Sequence, residues 1–125
     1  MLSDFSKKLM PSLKENQLVN FENKTDVDNL LYFIESKYNY GDFIYPSALH
    51  RKLKIDLKLI YSILEQAVIS DLLEQYLQLY CYHCQKYAGT MYKHIVDIPQ
   101  TEYCLNCDEE IVDPFKYTVV IYKVK

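Results

Sequence analysis

The chain of 125 residues contains no tryptophan and only two glycines, Gly41 and Gly89, which are far apart. A glycine-rich phosphate-binding loop needs several glycines close together, so two isolated glycines exclude it. No serine lies in a G-x-S-x-G sequence, and neither H-E-x-x-H nor the H-x-E sequence of zinc deaminases occurs. We therefore expect a protein that is not an enzyme.

Long apolar runs are also missing from the sequence. No segment approaches the roughly 20 apolar residues of a membrane span, and residues 1–8 lack the apolar core of a signal peptide. The 14 basic and 17 acidic residues give a net charge of −3, so the whole molecule repels nucleic acid weakly. We expect a cytoplasmic protein that has no membrane partner and whose thiols stay reduced.

Four cysteines form two C-x-x-C pairs, Cys81 with Cys84 and Cys104 with Cys107, separated by nineteen residues. This spacing is typical of a tetrahedral Zn²⁺ site, in which two tight turns direct four thiolates at one ion. Four protein ligands leave no coordination position for water or substrate. The spacing therefore predicts zinc as a structural cofactor.

Three alternatives use the same part of the chain. Two disulfides would require an oxidising compartment, and a redox-active C-x-x-C should open a helix, whereas no helical periodicity follows Cys84. An open, catalytic zinc site would use His83 or His94, together with Glu102, in place of cysteine ligands. Otherwise we expect His83 to be an exposed ring or a hydrogen-bond donor to a ligand.

The period of the apolar pattern changes along the chain. Residues 1–24 predict a short helix or an arm, and helical spacing predicts helices at 25–40, 46–53 and 56–68. Alternating apolar residues predict strands at 73–81, 90–97 and 115–124. Asp56 is expected to cap the helix at 56–68, whose outward positions would include Lys58, Ser62, Glu65 and Gln66. Helices followed by strands indicate an α+β fold.

Residues 43–56, followed by apolar residues at 60, 64, 69 and 73, resemble the core of a winged helix-turn-helix. The two cysteine pairs directly behind them resemble a zinc ribbon. This order is similar to that of the large subunit of transcription factor E and its archaeal counterpart, which use a winged helix and a zinc ribbon to bind RNA polymerase and other proteins. The resemblance implies an arm at 1–24, a winged-helix-like domain at 25–80, and a C-terminal zinc ribbon with a closing strand at 81–125.

The chain departs from this pattern where a wing would form. Between Leu72 and Cys81 there is no glycine or asparagine to turn a wing hairpin. We therefore expect the zinc ribbon to take the place of the wing, without the groove contact that a wing would make.

A basic cluster lies in the predicted helix-turn-helix and comprises His50, Arg51, Lys52, Lys54 and Lys58. These residues are the candidate nucleic-acid contacts, because the second helix of such a motif lies in the major groove. The same cluster is consistent with an ordinary solvated helix face or with a docking site for an acidic partner. Residues 97–113 carry six acidic and no basic side chains, which opposes phosphate binding.

From the sequence we expect a non-catalytic, zinc-stabilised interaction module that binds a protein partner in a cytoplasmic protein or nucleoprotein complex. The alternative is a DNA-binding transcriptional regulator that uses the basic 50–58 segment. Thirteen tyrosines suit contact surfaces, because each ring can bury one face and leave its hydroxyl in water. The sequence is also compatible with a homo-oligomer.

Overall fold

The structure is a computed structural model that describes residues 2–125. It has a mixed α+β fold, and within those residues it contains four α-helices, a four-stranded antiparallel sheet and a two-stranded sheet. No helix within residues 2–125 is both long and apolar enough to cross a membrane. The chain divides into two compact units. The helical unit runs to Glu74 and also contains Tyr122–Lys125, and the cysteine unit is Gln75–Ile121.

Each helix of the helical unit buries one apolar face. The helices are α1 (Phe5–Glu15), α2 (Lys24–Lys37), α3 (Pro46–Leu53) and α4 (Leu57–Ile69). Leu13, Leu30 and Ile60 are fully buried, so side chains from three of these helices contribute to the core of this unit. Residues 1–24 therefore include a packed helix, α1, which continues through Pro11.

The bounds of α2 differ from those predicted. α2 begins at Lys24, one residue before the predicted start, and it ends at Lys37 instead of residue 40. Tyr38 is already extended, and the carboxylate of Asp42 accepts a hydrogen bond from the N–H of Asn39 at 2.8 Å, across a turn that contains Gly41. This local side-chain bond offers the backbone an alternative to another helical turn.

The predicted turn between α3 and α4 is present at the expected place. Lys54 adopts the left-handed conformation, with φ of 60°, directly after α3. The carboxylate of Asp56 then accepts a hydrogen bond from the N–H of Leu59 at 3.3 Å, as an N-cap does.

The strands are β1 (Phe43–Ile44), β2 (Leu73–Tyr80), β3 (Tyr87–Tyr92), β4 (Thr101–Tyr103), β5 (Glu110–Val112) and β6 (Thr118–Val124). The strand predicted at 90–97 starts earlier and ends at Tyr92, and a single 3-10 turn occupies Ile95–Asp97. β6 begins at Thr118 instead of residue 115, because Pro114 opens another 3-10 turn at Pro114–Tyr117. Proline fixes φ near the helical value, which favours such a turn over a strand.

The strand order in the larger sheet is β1-β6-β2-β3, and β4 and β5 form the separate two-stranded sheet. At the end of β6 the chain rejoins the helical unit, where Tyr122 pairs with Ile44 and Lys123 pairs with Phe43 in antiparallel register. The sequence placed this closing strand with the zinc ribbon at 81–125. In the structure, the cysteine unit is Gln75–Ile121, and Tyr122–Lys125 at the end of β6 belong to the helical unit.

Candidate metal centre

The first cysteine pair lies at the turn between β2 and β3, which are antiparallel neighbours. β2 ends at Tyr80 and places Cys81 in the core of the cysteine unit, with a side chain only 1% exposed. The N–H of Cys81 donates to the carbonyl of Lys86 at 2.9 Å, and the N–H of Gln85 donates to the carbonyl of Cys81 at 2.7 Å. Gln85 has a positive φ of 61°, which reverses the chain directly after Cys84.

The second cysteine pair repeats this hydrogen-bond pattern at the turn between β4 and β5. The N–H of Cys104 donates to the carbonyl of Glu109, and the N–H of Asp108 donates to the carbonyl of Cys104, both at 2.9 Å. Asp108 has the same positive φ of 61° as Gln85. The two knuckles, residues 81–86 and 104–109, are therefore local copies of one turn that directs two sulfurs to the same side.

The two knuckles bring all four sulfur atoms together, within 4.8 Å of one another. The Sγ atoms of Cys81 and Cys107 lie 3.6 Å apart, and those of Cys84 and Cys104 lie 3.7 Å apart. All four cysteines are free thiols, since a disulfide would hold its sulfurs about 2.05 Å apart. A tetrahedron with metal–sulfur bonds of about 2.3 Å has sulfur–sulfur edges of about 3.8 Å, so this spacing suits a bound metal ion.

The electrostatics of the cluster also favour a cation. Burial raises the pKa of the Cys104 thiol, but hydrogen bonds from the backbone N–H groups of Cys107 and Asn106 lower it to about 7. The N–H of Glu109 lowers the pKa of Cys107, but burial and contacts with the other three thiols raise it to about 12. Burial likewise raises the pKa of Cys84. Four adjacent thiolates repel one another, and a coordinated metal ion removes that penalty.

Backbone and histidine groups surround the sulfurs without joining the cluster. The N–H of Asn106 points at the Sγ of Cys104 at 3.3 Å, an orientation that stabilises a thiolate. The Nε2 of His83 lies 3.1 Å from the carbonyl oxygen of Glu110, so this ring links the first knuckle to β5. The ring of Tyr82 covers that of His83, with centroids 4.3 Å apart. His83 therefore supports the position of the knuckles from outside the sulfur cluster.

The other groups of the open-site alternative have different partners. The carboxylate of Glu102 accepts hydrogen bonds from the hydroxyl of Tyr92 at 3.1 Å and from the N–H of Tyr103 at 3.0 Å. His94 is exposed and precedes the 3-10 turn at Ile95–Asp97. Within residues 2–125, the four cysteines are the group of His, Cys, Asp and Glu side chains close enough to share a metal ion.

One contact that positions the site was not identified from the sequence. Gly89 in β3 has φ of +94°, and a Cβ atom built on it would lie 2.9 Å from both the Cβ and the Cδ1 of Leu105. The N–H of Leu105 donates to the carbonyl of Ala88 at 2.8 Å, and the amide of Asn106 donates to the carbonyl of Tyr87. The second knuckle therefore lies directly against β3. A glycine inside a strand is a signal for such a close approach, but Gly89 lies one residue before the strand predicted at 90–97.

The candidate nucleic-acid contacts lie in the helical unit. Arg51, Lys52, Lys54 and Lys58 are all exposed, and their side chains have no hydrogen bond or ion pair with another group in residues 2–125. His50 differs from them, because its Nδ1 lies 2.7 Å from the carbonyl oxygen of Ile55 and thus joins the turn before α4.

The outward face expected for α4 is only partly exposed. Lys58 and Ser62 are exposed, but Gln66 is 8% exposed and belongs to the buried face. The carboxylate of Glu65 accepts a short hydrogen bond from the hydroxyl of Tyr122, at 2.5 Å. The expectation that Gln66 faces outward was wrong, because its side chain is buried, whereas Glu65 is half-buried where it contacts Tyr122 of β6.

Comparison of the chain with models of known protein families gave no match, and searches of curated proteins and of solved structures gave none either.

Proposed function

We propose that this protein is a non-catalytic interaction module whose cysteine unit is held together by one structural Zn²⁺ ion. The observation that carries the proposal is the closed set of four sulfur atoms, all within 4.8 Å of one another. An ion bound to all four has no free coordination position, so it stabilises the fold and does no chemistry on a substrate. The four cysteines are the proposed ligands, and His83 is a positioning residue.

Zinc is the metal that the donor set favours. Four thiolates in a tetrahedral arrangement select zinc or an iron centre over magnesium, calcium or manganese, which prefer oxygen ligands. The visible absorption spectrum distinguishes zinc from iron, because a zinc–thiolate protein is colourless and an iron–thiolate protein absorbs visible light. Elemental analysis of purified, reduced protein is expected to give one zinc per chain. Protein that is metal-free yet fully folded would refute the proposal.

The helical unit supports the winged-helix part of the proposal through its order of elements. After α2, the strand β1 precedes α3 and α4, and the end of β6 returns to pair with β1. A winged helix has this succession of helix, strand, two helices and returning strands. We propose that the zinc module stands in the chain where a winged helix has its wing, so that this protein combines the two parts found in the large subunit of transcription factor E.

A protein partner in a cytoplasmic assembly is the proposed target of the module. The cysteine unit exposes large apolar side chains, including Leu105 at 68%, Phe115 at 57% and Val96 at 90%. Apolar side chains that a small zinc unit leaves in water suit contacts with another protein. Six acidic and three basic residues in this unit favour a protein over nucleic acid.

The test for a partner uses the full chain in its zinc-bound form. We expect a partner that remains bound in high salt and after nuclease treatment, because apolar contacts resist both. A Cys104→Ser variant, which removes one proposed ligand, is expected to lose the partner when the partner contacts the cysteine unit. Association that disappears on nuclease treatment would contradict a direct protein contact.

A second candidate function is DNA binding through Arg51, Lys52, Lys54 and Lys58. The observation that favours it is that these four side chains are exposed and unpaired. The burial of Gln66 opposes it, since α4 then offers few polar side chains to base edges. Duplex DNA binding that weakens steeply with salt, and is lost when all four residues are changed to alanine, would favour this candidate. Salt-insensitive or absent binding would exclude it.

A further inference from the structure

A groove separates α2 from α3 in the helical unit. Its volume is about 300 Å³. The lining consists of apolar and basic side chains only: Phe33, Lys37, Tyr38, Ala48, Leu49 and Lys52. The groove lies outside the cysteine unit and plays no part in the metal centre.

The floor of the groove is apolar and built on packed residues. Leu49 is 1% exposed and anchors α3 in the core. The rings of Phe33 and Tyr38 meet edge to face, with centroids 6.3 Å apart and an interplanar angle of 73°, so they form a fixed wall. Ala48 lies opposite with a side chain of one carbon, and a larger residue there would fill the groove.

The two charged side chains that line the groove, Lys37 and Lys52, are both basic. Lys37 is the last residue of α2, and Lys52 lies in the last turn of α3, so both ammonium groups are at the rim. Both are exposed, and their side chains have no ion pair with an acidic residue in residues 2–125. Glu35, the nearest acid along the chain to Lys37, accepts hydrogen bonds from Ser6, and Asp42 accepts one from Asn39 within its own turn. The exposed Arg51 next to Lys52 extends the positive rim.

From this arrangement we infer that the groove binds an acidic segment of a protein partner, with one apolar side chain inserted between Phe33 and Ala48 and carboxylates placed at Lys37 and Lys52. The inference rests on the proposed function as an interaction module and names the chemistry of its partner. Segments of this kind dock on helical grooves through apolar anchors, and complementary charge sets the register.

One feature favours a peptide over a small molecule, and a second favours a peptide over nucleic acid. The polar groups at the groove are two long, flexible lysine side chains at the rim, whereas small-molecule sites use several convergent polar groups that fix the orientation of the ligand. The apolar floor also distinguishes this site from a phosphate-binding surface. DNA would contact Arg51, Lys54 and Lys58 and would gain nothing from Phe33 or Tyr38.

The experiment is a display selection of random 12-residue peptides on the full-length, zinc-bound protein. We expect the selected peptides to be acidic and to contain an apolar anchor. A Lys37→Glu/Lys52→Glu double variant reverses the charge of the rim and is expected to lower their affinity about tenfold or more. Ala48→Met, which fills the groove without changing charge, is expected to weaken binding to a similar degree. Lys58→Glu is the matched control, since it makes the same charge reversal outside the groove.

The outcomes separate this inference from the proposed function. Selected peptides that are basic or neutral, no selection at all, or binding that Lys58→Glu weakens as much as the groove variants would overturn the inference. Self-association of the protein that the groove variants abolish would also overturn it, because the occupant would then be a second copy. If the natural partner binds the groove variants as tightly as the unaltered protein, the groove is not the binding site for that partner. The proposed function as an interaction module is then retained, and the inference about the groove is rejected. Unchanged zinc content and melting temperature verify that each variant is folded.

Discussion

Gly89→Ala is the substitution for which the structure makes the sharpest prediction. Gly89 has φ of +94°, a conformation that residues with a Cβ atom rarely adopt. The added Cβ would also lie 2.9 Å from the Cβ of Leu105. That Leu105 atom is attached directly to the backbone of the second knuckle, so the knuckle itself has to move. The substitution therefore acts on the metal centre without touching a cysteine.

The size of the effect follows from two costs. Forcing a residue with a Cβ into a left-handed conformation costs about 1–2 kcal/mol. Overpacking a close contact costs about 1–3 kcal/mol more, so the total is about 2–5 kcal/mol. Binding of zinc and folding of a small zinc unit are coupled, so this cost lowers the apparent zinc affinity. We expect a loss of about thirtyfold to a few thousandfold.

The chain offers a matched control for the backbone part of this cost. Gly41 also has a positive φ, +89°, but a Cβ built there meets nothing within 4 Å. Gly41 lies in the helical unit, so Gly41→Ala is expected to lower the thermal stability of that unit and to leave zinc affinity unchanged. A Gly89→Ala/Leu105→Ala double variant lacks the contacts with the Cγ and Cδ1 atoms of Leu105. We expect it to recover part of the zinc affinity that Gly89→Ala alone loses.

The assay is competition for zinc between the protein and a chromophoric chelator, at fixed pH under reducing conditions. Circular dichroism of the same samples reports whether the helices are retained. If Gly89→Ala binds zinc as tightly as the unaltered protein, the close contact between β3 and the second knuckle does not position the sulfurs. If Leu105→Ala restores nothing, the Cγ and Cδ1 contacts do not contribute, and the loss comes from backbone strain and the contact with the Leu105 Cβ.

Three further predictions concern other contacts. Cys104→Ala is expected to reduce bound zinc from one per chain to none and to abolish protection of the cysteine unit in hydrogen exchange, while the buried leucines of the helical unit keep its helices folded; retained stoichiometric zinc would contradict this. Burial and the nearby Glu102 carboxylate raise the pKa of Tyr92 from 10.0 to about 12, so the unfolded chain ionises first and stability should fall between these pH values. Denaturation of Tyr92→Phe should show a shallower alkaline decline, and an unchanged slope would exclude Tyr92 as its source. Tyr122→Phe removes the hydrogen bond to Glu65 and should cost about 1–3 kcal/mol in urea unfolding, whereas a neutral effect would mean that the bond contributes nothing net.

The cysteine cluster could be predicted from the sequence because a C-x-x-C turn is a local structure. Within each knuckle the two sulfurs are separated by only two residues, and the chain reverses at Gln85 and at Asp108 by hydrogen bonds within the knuckle itself. The pairing of the two knuckles needed one further fact, the nineteen-residue spacing, which matches known zinc sites. The proline at the start of α3 and the Asp56 cap of α4 are local signals of the same kind.

The burial of Gln66 and the short extent of β3 could not be predicted in this way. Helical spacing places Gln66 on a face of α4, but only the elements packed around the helix decide whether that face meets water or protein. The end of β6 covers part of α4 through the bond from Tyr122 to Glu65, and these residues lie 57 positions apart in the sequence. Period-two patterns likewise do not mark where a strand yields to a 3-10 turn at Ile95–Asp97.

The amino-acid sequence by itself determined the two C-x-x-C turns and the helices of the N-terminal half, because each depends on residues within a few positions of one another. Only the tertiary structure decided that Tyr122–Lys125 belong to the helical unit, that Leu105 rests on Gly89, and that Lys37 and Lys52 border one groove. These features join residues from distant segments, and their contacts depend on how whole elements pack.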